Sequence, residues 1–158
     1  MAEKIEIGNM LPLFTLPTIQ NGEITISNYK GSENLVICFF DADCPQCLEF
    51  LDKLANAYTD FRELNTEILA IGNKQIDELA REFSKKKIPF PIMADEEGGV
   101  WKLYSAGVLT VIASDKFGEI RLRMDTEGQS SPDISMLTDA VSLMELECPE
   151  CGIATWRV

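Results

Sequence analysis

Residues 34–47 read NLVICFFDADCPQC, and this stretch decides the fold. The unbroken apolar run at 34–40 is typical of a central strand that is buried on both faces. From residue 45 the hydrophobic period changes to three and four, which predicts one long amphipathic helix over 45–64. The apolar face of that helix is formed by Leu48, Leu51, Leu54, Ala55, Tyr58 and Phe61. Cys44-Pro45-Gln46-Cys47 therefore lies where a strand gives way to a helix.

This junction suits reversible thiol chemistry. Proline fits the first turn of a helix, so Pro45 places Cys44 at or near the N-cap. The unpaired amides of that turn and the positive end of the helix dipole favour a thiolate at Cys44. Cys47 follows one turn later, where its sulfur can expel a substrate from a mixed disulfide. Asp41 and Asp43 oppose the thiolate by their charge, so we expect a moderately activated thiol and a rather reducing couple.

Other interpretations of these cysteines stay open. Cys44 and Cys47 could be buried as small apolar side chains, or could form half of a metal site. Their spacing at a strand-to-helix junction favours the redox function. Cys38 lies inside the apolar strand, where we predict an unreactive core residue.

The rest of the chain alternates between predicted strands and helices. Extended segments are expected at 11–16, 24–26, 68–72, 92–94, 108–113 and 119–124. The last two form a hairpin. Further helices are expected around 76–83 and after Asp95, which can act as an N-cap. Another is expected to start at Ser131-Pro132-Asp133, with the proline at the first helical position. This alternation indicates a layered α/β domain.

Composition limits the partners and the chemistry. The 158 residues suffice for one domain, and 14 basic against 26 acidic residues give a net charge of −12. Such a charge repels phosphate and anionic lipid, so we expect neither nucleic acid nor membrane as a partner. The lack of histidine excludes Cys–His pairs and Ser–His–Asp triads. With five cysteines and neither a secretory signal nor a membrane span in the sequence, we expect a cytoplasmic redox or metal-binding protein.

Residues 5–147 resemble the peroxiredoxin-like redoxins of the alkyl hydroperoxide reductase and thiol-specific antioxidant (AhpC/TSA) branch of the thioredoxin superfamily. Residues 8–16 look like the family's opening strand, 39–47 like its active-site turn, and 107–118 like the strand and turn that face it. The resemblance implies a thioredoxin-like fold, in which a central mixed β-sheet is flanked by helices.

Several positions depart from the patterns of these relatives. Thioredoxin-like proteins place a cis-proline opposite the cysteines, where this chain has Leu109, so we expect a trans peptide there and an altered substrate groove. By resemblance, Leu109 and Thr110 line that groove. The threonine and the arginine of the peroxiredoxin pattern fall at Cys44 and Leu109, so fast peroxide reduction is not expected. Where many thioredoxins have a buried acidic residue, this chain has Cys38.

A second Cys-x-x-Cys motif, Cys148-Pro149-Glu150-Cys151, follows the last predicted helix. We divide the chain into a redoxin domain over 1–147 and a tail over 148–158. The tail could be a zinc knuckle that needs a homodimer to complete four ligands, a second dithiol that exchanges electrons with the first, or a plain local disulfide or exposed pair. One metal shared by both motifs is a fourth arrangement.

Together these observations predict a thiol–disulfide oxidoreductase in which Cys44 attacks, Cys47 resolves and Pro45 starts the helix. Its partners would be protein or small-molecule disulfides and thiols. No cofactor is required, and zinc is possible at Cys148 and Cys151. Two alternatives stay open. One is a thiol-dependent peroxidase with an antioxidant role, in which Cys44 or Cys47 is the peroxide-attacking thiol, and the other is a zinc-bridged interaction module without enzyme activity.

Overall fold

Strands and helices alternate along the chain. The computed structural model describes residues 5–20, 22–29, 31–126 and 132–146. Within these ranges the strands are β1 (Thr15–Pro17), β2 (Glu23–Thr25), β3 (Asn34–Phe40), β4 (Thr66–Gly72), β5 (Ile92–Ala94), β6 (Leu109–Ser114) and β7 (Ile120–Thr126). The helices are α1 (Pro45–Asn56), α2 (Tyr58–Glu63), α3 (Ile76–Glu82), α4 (Gly99–Leu103) and α5 (Ile134–Leu146), and a 3-10 turn spans Ile26–Tyr29.

The central sheet is mixed and has the strand order β5-β4-β3-β6-β7. β3, β4 and β5 run parallel, whereas β6 and β7 run antiparallel to their neighbours. β1 and β2 form a separate antiparallel hairpin. At the carboxyl end of β3, Phe40 lies between Gly72 of β4 and Leu109 of β6. The junction with α1 therefore lies at the edge of the sheet where β3 and β4 end and β6 begins.

β3 is buried on both faces, which explains its unbroken apolar run. Cys38 and Phe40 belong to a core covered by α1, α2, α3 and α5. Phe39, which points to the opposite face, belongs to a second core with Phe14 and Tyr104, beneath α4 and the β1–β2 hairpin. Helices therefore flank the sheet on both sides, as the sequence predicts.

The prediction of one helix over 45–64 is wrong, because the structure divides this segment into α1 and α2. Ala57 ends α1 with a backbone conformation (φ −95°, ψ 1°) that departs from the regular helix. Neither proline nor glycine stands at this position, so the break has no local sequence signal. Phe61 of α2 is fully buried in the same core as Ile68 of β4.

The start of α4 also differs from the prediction. The helix begins after Gly98, which adopts a left-handed conformation (φ 76°), and not directly after Asp95. Asp95 nevertheless caps the first turn of the helix, since its Oδ2 accepts a hydrogen bond from the backbone N–H of Trp101 (2.7 Å). A side chain three residues before the N-cap therefore performs the capping that the sequence predicted.

The start of α5 follows Asp133, whose Oδ1 accepts a hydrogen bond from the backbone N–H of Ser135 (2.9 Å). Pro132 precedes this residue and is not the first residue of the helix, which corrects the predicted start. Ser131 lies outside the described residues. The apolar face of α5 contains Leu137, Val141 and Met144, which are buried.

Candidate active site

The junction between β3 and α1 has the geometry that the sequence predicts. Cys44 is the N-cap of α1 with an extended backbone (φ −95°, ψ 112°), and Pro45 is the first helical residue. The backbone N–H of Cys44 donates to the carbonyl oxygen of Asp41 (3.0 Å), which closes a tight turn between strand and helix. The turn thus presents the Cys44 side chain at the amino end of a 12-residue helix.

Cys44 carries the more accessible of the two thiols, since its side chain is partly exposed. Its Sγ accepts a hydrogen bond from the backbone N–H of Cys47 (3.2 Å). It also lies 3.8 Å from Oε1 of Gln46. An amide donor and the helix dipole both stabilise negative charge on a sulfur in this position. Cys44 is therefore placed to meet a substrate from solvent.

Cys47 is enclosed. It has no solvent exposure, and its Sγ donates a hydrogen bond to the carbonyl oxygen of Val108 (3.3 Å). Burial is the main cause that raises the pKa of Cys47 to about 12, and a hydrogen bond with the Cys44 sulfur adds to it. A backbone hydrogen bond from Asp41 acts in the opposite direction. Cys44 and Cys47 are both free, so the pair is in its dithiol form.

The loop after β4 supports the turn that carries Cys44. Oδ1 of Asn73 accepts a hydrogen bond from the backbone N–H of Ala42 (3.2 Å). Asp43 forms an ion pair with Lys74 (2.7 Å), which solvent screens because the Asp43 side chain is largely exposed. The repulsion that Asp43 exerts on a thiolate at Cys44 is therefore partly offset by Lys74.

The strand facing the cysteines contributes a carbonyl group rather than the predicted side chains. Leu109 and Thr110 have no solvent exposure, which corrects the expectation that their side chains line a surface groove. Val108, the residue before them, lies at the surface instead, with 38% of its area exposed. Its carbonyl oxygen accepts from the Cys47 thiol and from the backbone N–H of Asp41 (2.9 Å). No cis peptide bond occurs in the described part of the chain, so the peptide before Leu109 is trans as predicted.

Sequence reasoning missed Val108, Asn73 and Lys74. Val108 acts through its backbone carbonyl, and every residue has a carbonyl, so the residue type gives no signal of this role. Asn73 and Lys74 follow a predicted buried strand, and parallel strands bring their carboxyl ends together. The position of these two residues after β4 is thus the signal that could have placed them beside the junction.

Comparison with known proteins identifies the family. Residues 7–122 match the model of the AhpC/TSA family. The chain belongs to the AhpC/TSA family. The thiol-disulfide oxidoreductase ResA of Bacillus thuringiensis subsp. konkukian is 27% identical over 122 residues, which cover 75% of this chain and 69% of the relative. The chloroplastic peroxiredoxin Q of Sedum lineare is 29% identical over 119 residues, which cover 74% of this chain and 60% of the relative.

A solved structure confirms the fold. The yeast mitochondrial 1-Cys peroxiredoxin superposes with a TM-score of 0.81 at 18% identity, covering 90% of this AhpC/TSA chain and 77% of that protein. The predicted thioredoxin-like fold is therefore confirmed. The named relatives are oxidoreductase enzymes, and this AhpC/TSA protein is an oxidoreductase. Among the helices of the described ranges, none has the length and apolar character needed to cross a membrane.

Cys38 is buried in this AhpC/TSA protein, as predicted. It lies in the middle of β3, opposite Ala70 of β4 and Val111 of β6, and has no solvent exposure. Burial raises the pKa of the Cys38 thiol well above its ordinary value, and the nearby Cys47 adds to this effect. A thiol that is protonated and inaccessible has the properties of a core residue.

The second Cys-x-x-Cys motif of this AhpC/TSA protein, Cys148 to Cys151, lies outside the described residues. The zinc site and the boundary between 147 and 148 therefore stay predictions. In the part of the chain that the structure describes, no group of three or more cysteine or acidic side chains is arranged to hold a metal ion.

Proposed function

We propose that this AhpC/TSA protein is a thiol–disulfide oxidoreductase whose working group is the Cys44–Cys47 dithiol. The observation that carries the proposal is the asymmetry of the pair. Cys44 is accessible at the amino end of α1, and Cys47 is enclosed one turn later with its thiol held on Val108. An attacking sulfur must meet the substrate, whereas a resolving sulfur needs to meet only its neighbour. The similarity to ResA supports this reaction class.

The reaction balances with the dithiol and a substrate disulfide alone. The Cys44 thiolate attacks one substrate sulfur, which forms a mixed disulfide and releases the first substrate thiol. Cys47 loses its proton, attacks the Cys44 sulfur and releases the second substrate thiol, so that an intramolecular disulfide forms. Two electrons have then passed from the protein to the substrate. The reverse sequence oxidises a substrate dithiol.

The surface beside the turn suits a polar substrate. An open groove of about 330 Å³ begins at Ala42 and is lined by Lys74, Glu78, Arg81 and Glu82. Fixed charges of both signs favour a partner whose polar and charged groups are complementary to them. We therefore infer that protein disulfides with polar flanking residues are better substrates than apolar small-molecule disulfides.

A trapping experiment tests the oxidoreductase proposal. It uses the Cys148→Ser/Cys151→Ser background, so that one motif alone can react, and follows the reduction of insulin. Cys44→Ser should lower the rate to that of buffer, because no attacking sulfur remains. Cys47→Ser should complete the first half-reaction and stop as a mixed disulfide, which intact mass spectrometry detects. Cys38→Ala, which removes a buried thiol from the same core, is the control and should retain exchange. Wild-type exchange in Cys44→Ser would refute the proposal.

The similarity to peroxiredoxin Q favours a second candidate, a thiol-dependent peroxidase. In this reaction the Cys44 thiolate attacks a peroxide oxygen, becomes a sulfenic acid and releases water or an alcohol. Cys47 then condenses with the sulfenic acid to give the disulfide and water. The enclosed position of Cys47 supports Cys44 as the attacking thiol. Stopped-flow oxidation by hydrogen peroxide supports this candidate if the rate far exceeds that of free cysteine, and removes it if the two rates are equal.

Zinc binding and dimerisation stay proposals for the tail. Two copies that share one zinc ion through Cys148 and Cys151 would contain half an equivalent of zinc per chain and would have twice the monomer mass. Elemental analysis together with light scattering measures both quantities. A metal-free monomer would refute the zinc-bridged dimer.

A further inference from the structure

Arg123 of β7 is a buried cation that the proposed reaction does not use directly. Its side chain is only 4% exposed. An arginine side chain has five N–H donors, and here each of them has an acceptor. Nε and one Nη2 donor bind the carboxylate of Asp125 (2.9 and 3.0 Å). The other donors bind the carbonyl oxygens of Ile5 (2.7 Å), Tyr104 (2.8 Å) and Ser105 (2.9 Å).

These contacts fix the turn that follows α4. Arg123 holds the carbonyls of Tyr104 and Ser105, and Ser105 adopts a left-handed backbone (φ 52°) that is uncommon for a residue other than glycine. Asp125 accepts a hydrogen bond from Oγ1 of Thr110 (2.8 Å). Oγ1 of Thr110 in turn accepts from the backbone N–H of Gly107 (2.9 Å). One connected network thus holds the turn at both of its ends.

Val108 follows this turn directly. Its carbonyl oxygen is the acceptor for the Cys47 thiol (3.3 Å) and for the backbone N–H of Asp41 (2.9 Å). We propose that Arg123, through Asp125 and Thr110, is a positioning residue that fixes the Val108 carbonyl against Cys47 and thereby sets the balance between dithiol and disulfide. This inference rests on the proposed function of the Cys44–Cys47 pair.

The direction of the effect follows from the hydrogen-bond balance. The reduced protein has a Cys47 thiol that donates to Val108, whereas the disulfide has no proton to donate. A displaced Val108 carbonyl therefore removes stabilisation from the reduced form and leaves the oxidised form unaffected. Loss of the network should make the couple more reducing.

The test measures the fraction of Cys44–Cys47 disulfide at equilibrium in glutathione redox buffers. It compares Thr110→Val and Thr110→Ser with the parent protein, all in the Cys148→Ser/Cys151→Ser background. Valine has the shape of threonine without the hydroxyl, and serine retains the hydroxyl. Thr110→Val should shift the equilibrium toward the disulfide by about three- to tenfold, which is about 14 to 30 mV. Thr110→Ser should retain the wild-type value.

A second pair of variants separates positioning from a general loss of stability. Arg123→Met should shift the equilibrium in the same direction as Thr110→Val. Arg121→Met is the matched control, because Arg121 lies two residues away on β7 and pairs with Asp115 (3.1 Å) at the other end of the hairpin. Denaturant unfolding reports the stability of each variant.

The outcomes separate this inference from the proposed function. A wild-type potential in Thr110→Val, or equal shifts in Arg123→Met and Arg121→Met, would overturn the positioning role while the oxidoreductase proposal stands. A wild-type protein that forms no Cys44–Cys47 disulfide in any glutathione buffer would overturn the proposed function and this inference with it. Shifts confined to Arg123→Met and Thr110→Val would support the inference.

Discussion

In the reduced dithiol, Cys47 holds its proton firmly, because burial, the hydrogen bond with the Cys44 sulfur and nearby negative charge all raise its pKa, to about 12. The hydrogen bond to Cys44 and the charge of its thiolate disappear once Cys44 is bonded to a substrate sulfur, since a disulfide sulfur carries no charge and no proton. The negative charge of Asp41 stays. Burial remains. The resolving step therefore depends on the small fraction of Cys47 that is ionised in the mixed disulfide.

The rate of resolution should consequently rise with pH. Below the pKa of the Cys47 thiol, the thiolate fraction grows about tenfold per pH unit, so the rate should follow the same slope between about pH 6 and pH 8. Rapid acid quenching of a mixed disulfide between Cys44 and an aromatic thiol, followed by mass spectrometry, measures the rate. The first half-reaction in Cys47→Ser provides the control profile for Cys44. A flat profile would mean that a local base, and not solvent, removes the proton.

The same thiols make the stability of the reduced protein depend on pH. Cys47 and Cys38 both have raised pKa values in the folded state, whereas a thiol in the unfolded chain has its ordinary pKa of 9.0. The unfolded state therefore releases protons first, and the stabilisation that is complete below about pH 9 is lost as the pH rises toward 12. Urea unfolding under reducing conditions should show this loss between about pH 9 and pH 11. Cys47→Ala should reduce it, and an unchanged slope in that variant would contradict the assignment to Cys47.

At the scale of elements, the end of β4 is packed too closely for any side chain. A Cβ added to Gly72 would lie 2.8 Å from Cδ2 of Leu79 in α3 and 2.9 Å from Cζ of Phe40 in β3. Gly72 thus allows α3 to approach the sheet beside the loop that holds Ala42 through Asn73. The glycine requirement is one of distance and does not depend on the backbone angles.

Gly72→Ala should therefore lower the free energy of unfolding by about 1–3 kcal/mol, since overpacking displaces side chains and backbone. Gly99→Ala is the matched control, because its Cβ would meet nothing within 4 Å at the first residue of α4. That change should leave stability unaltered or raise it by up to about 1 kcal/mol. Urea unfolding measures both variants. Equal stability of the two variants would show that α3 adjusts to the added methyl group.

Strands and helices with a clear hydrophobic pattern could be predicted from the sequence. The break between two helices that has no proline or glycine could not. β3 and the position of Cys44 follow from a buried run and a proline. The break at Ala57 has no local signal, and the helix that follows it contributes Phe61 to the core on one face of the sheet. Likewise the cysteines face a backbone carbonyl, that of Val108, whose position depends on turns distant in sequence.

At the scale of the whole molecule, α5 ends far from the Cys44–Cys47 dithiol. Oε1 of Glu145, near the end of α5, accepts a hydrogen bond from Nδ2 of Asn34 at the start of β3 (2.8 Å). Cys44 lies beyond the opposite end of β3. Since a strand rises about 3.3 Å per residue, the six steps from Asn34 to Phe40 span about 20 Å, to which the turn adds further distance. α5 therefore ends at the end of the sheet remote from the dithiol.

This separation limits how the tail can exchange electrons with Cys44. An extended chain spans at most about 3.6 Å per residue, so Cys148, two residues after Leu146, can reach only about 7 Å from it, and Cys151 about 18 Å. We therefore expect no Cys44–Cys148 disulfide within one molecule. Peptide mapping of the oxidised monomer without reductant checks the linkage, and Cys47→Ser makes the search sensitive because Cys44 then lacks its usual partner. A Cys44–Cys148 linkage in the monomer would show that α5 leaves the sheet during turnover, since the covalent reach of the tail cannot otherwise close the distance.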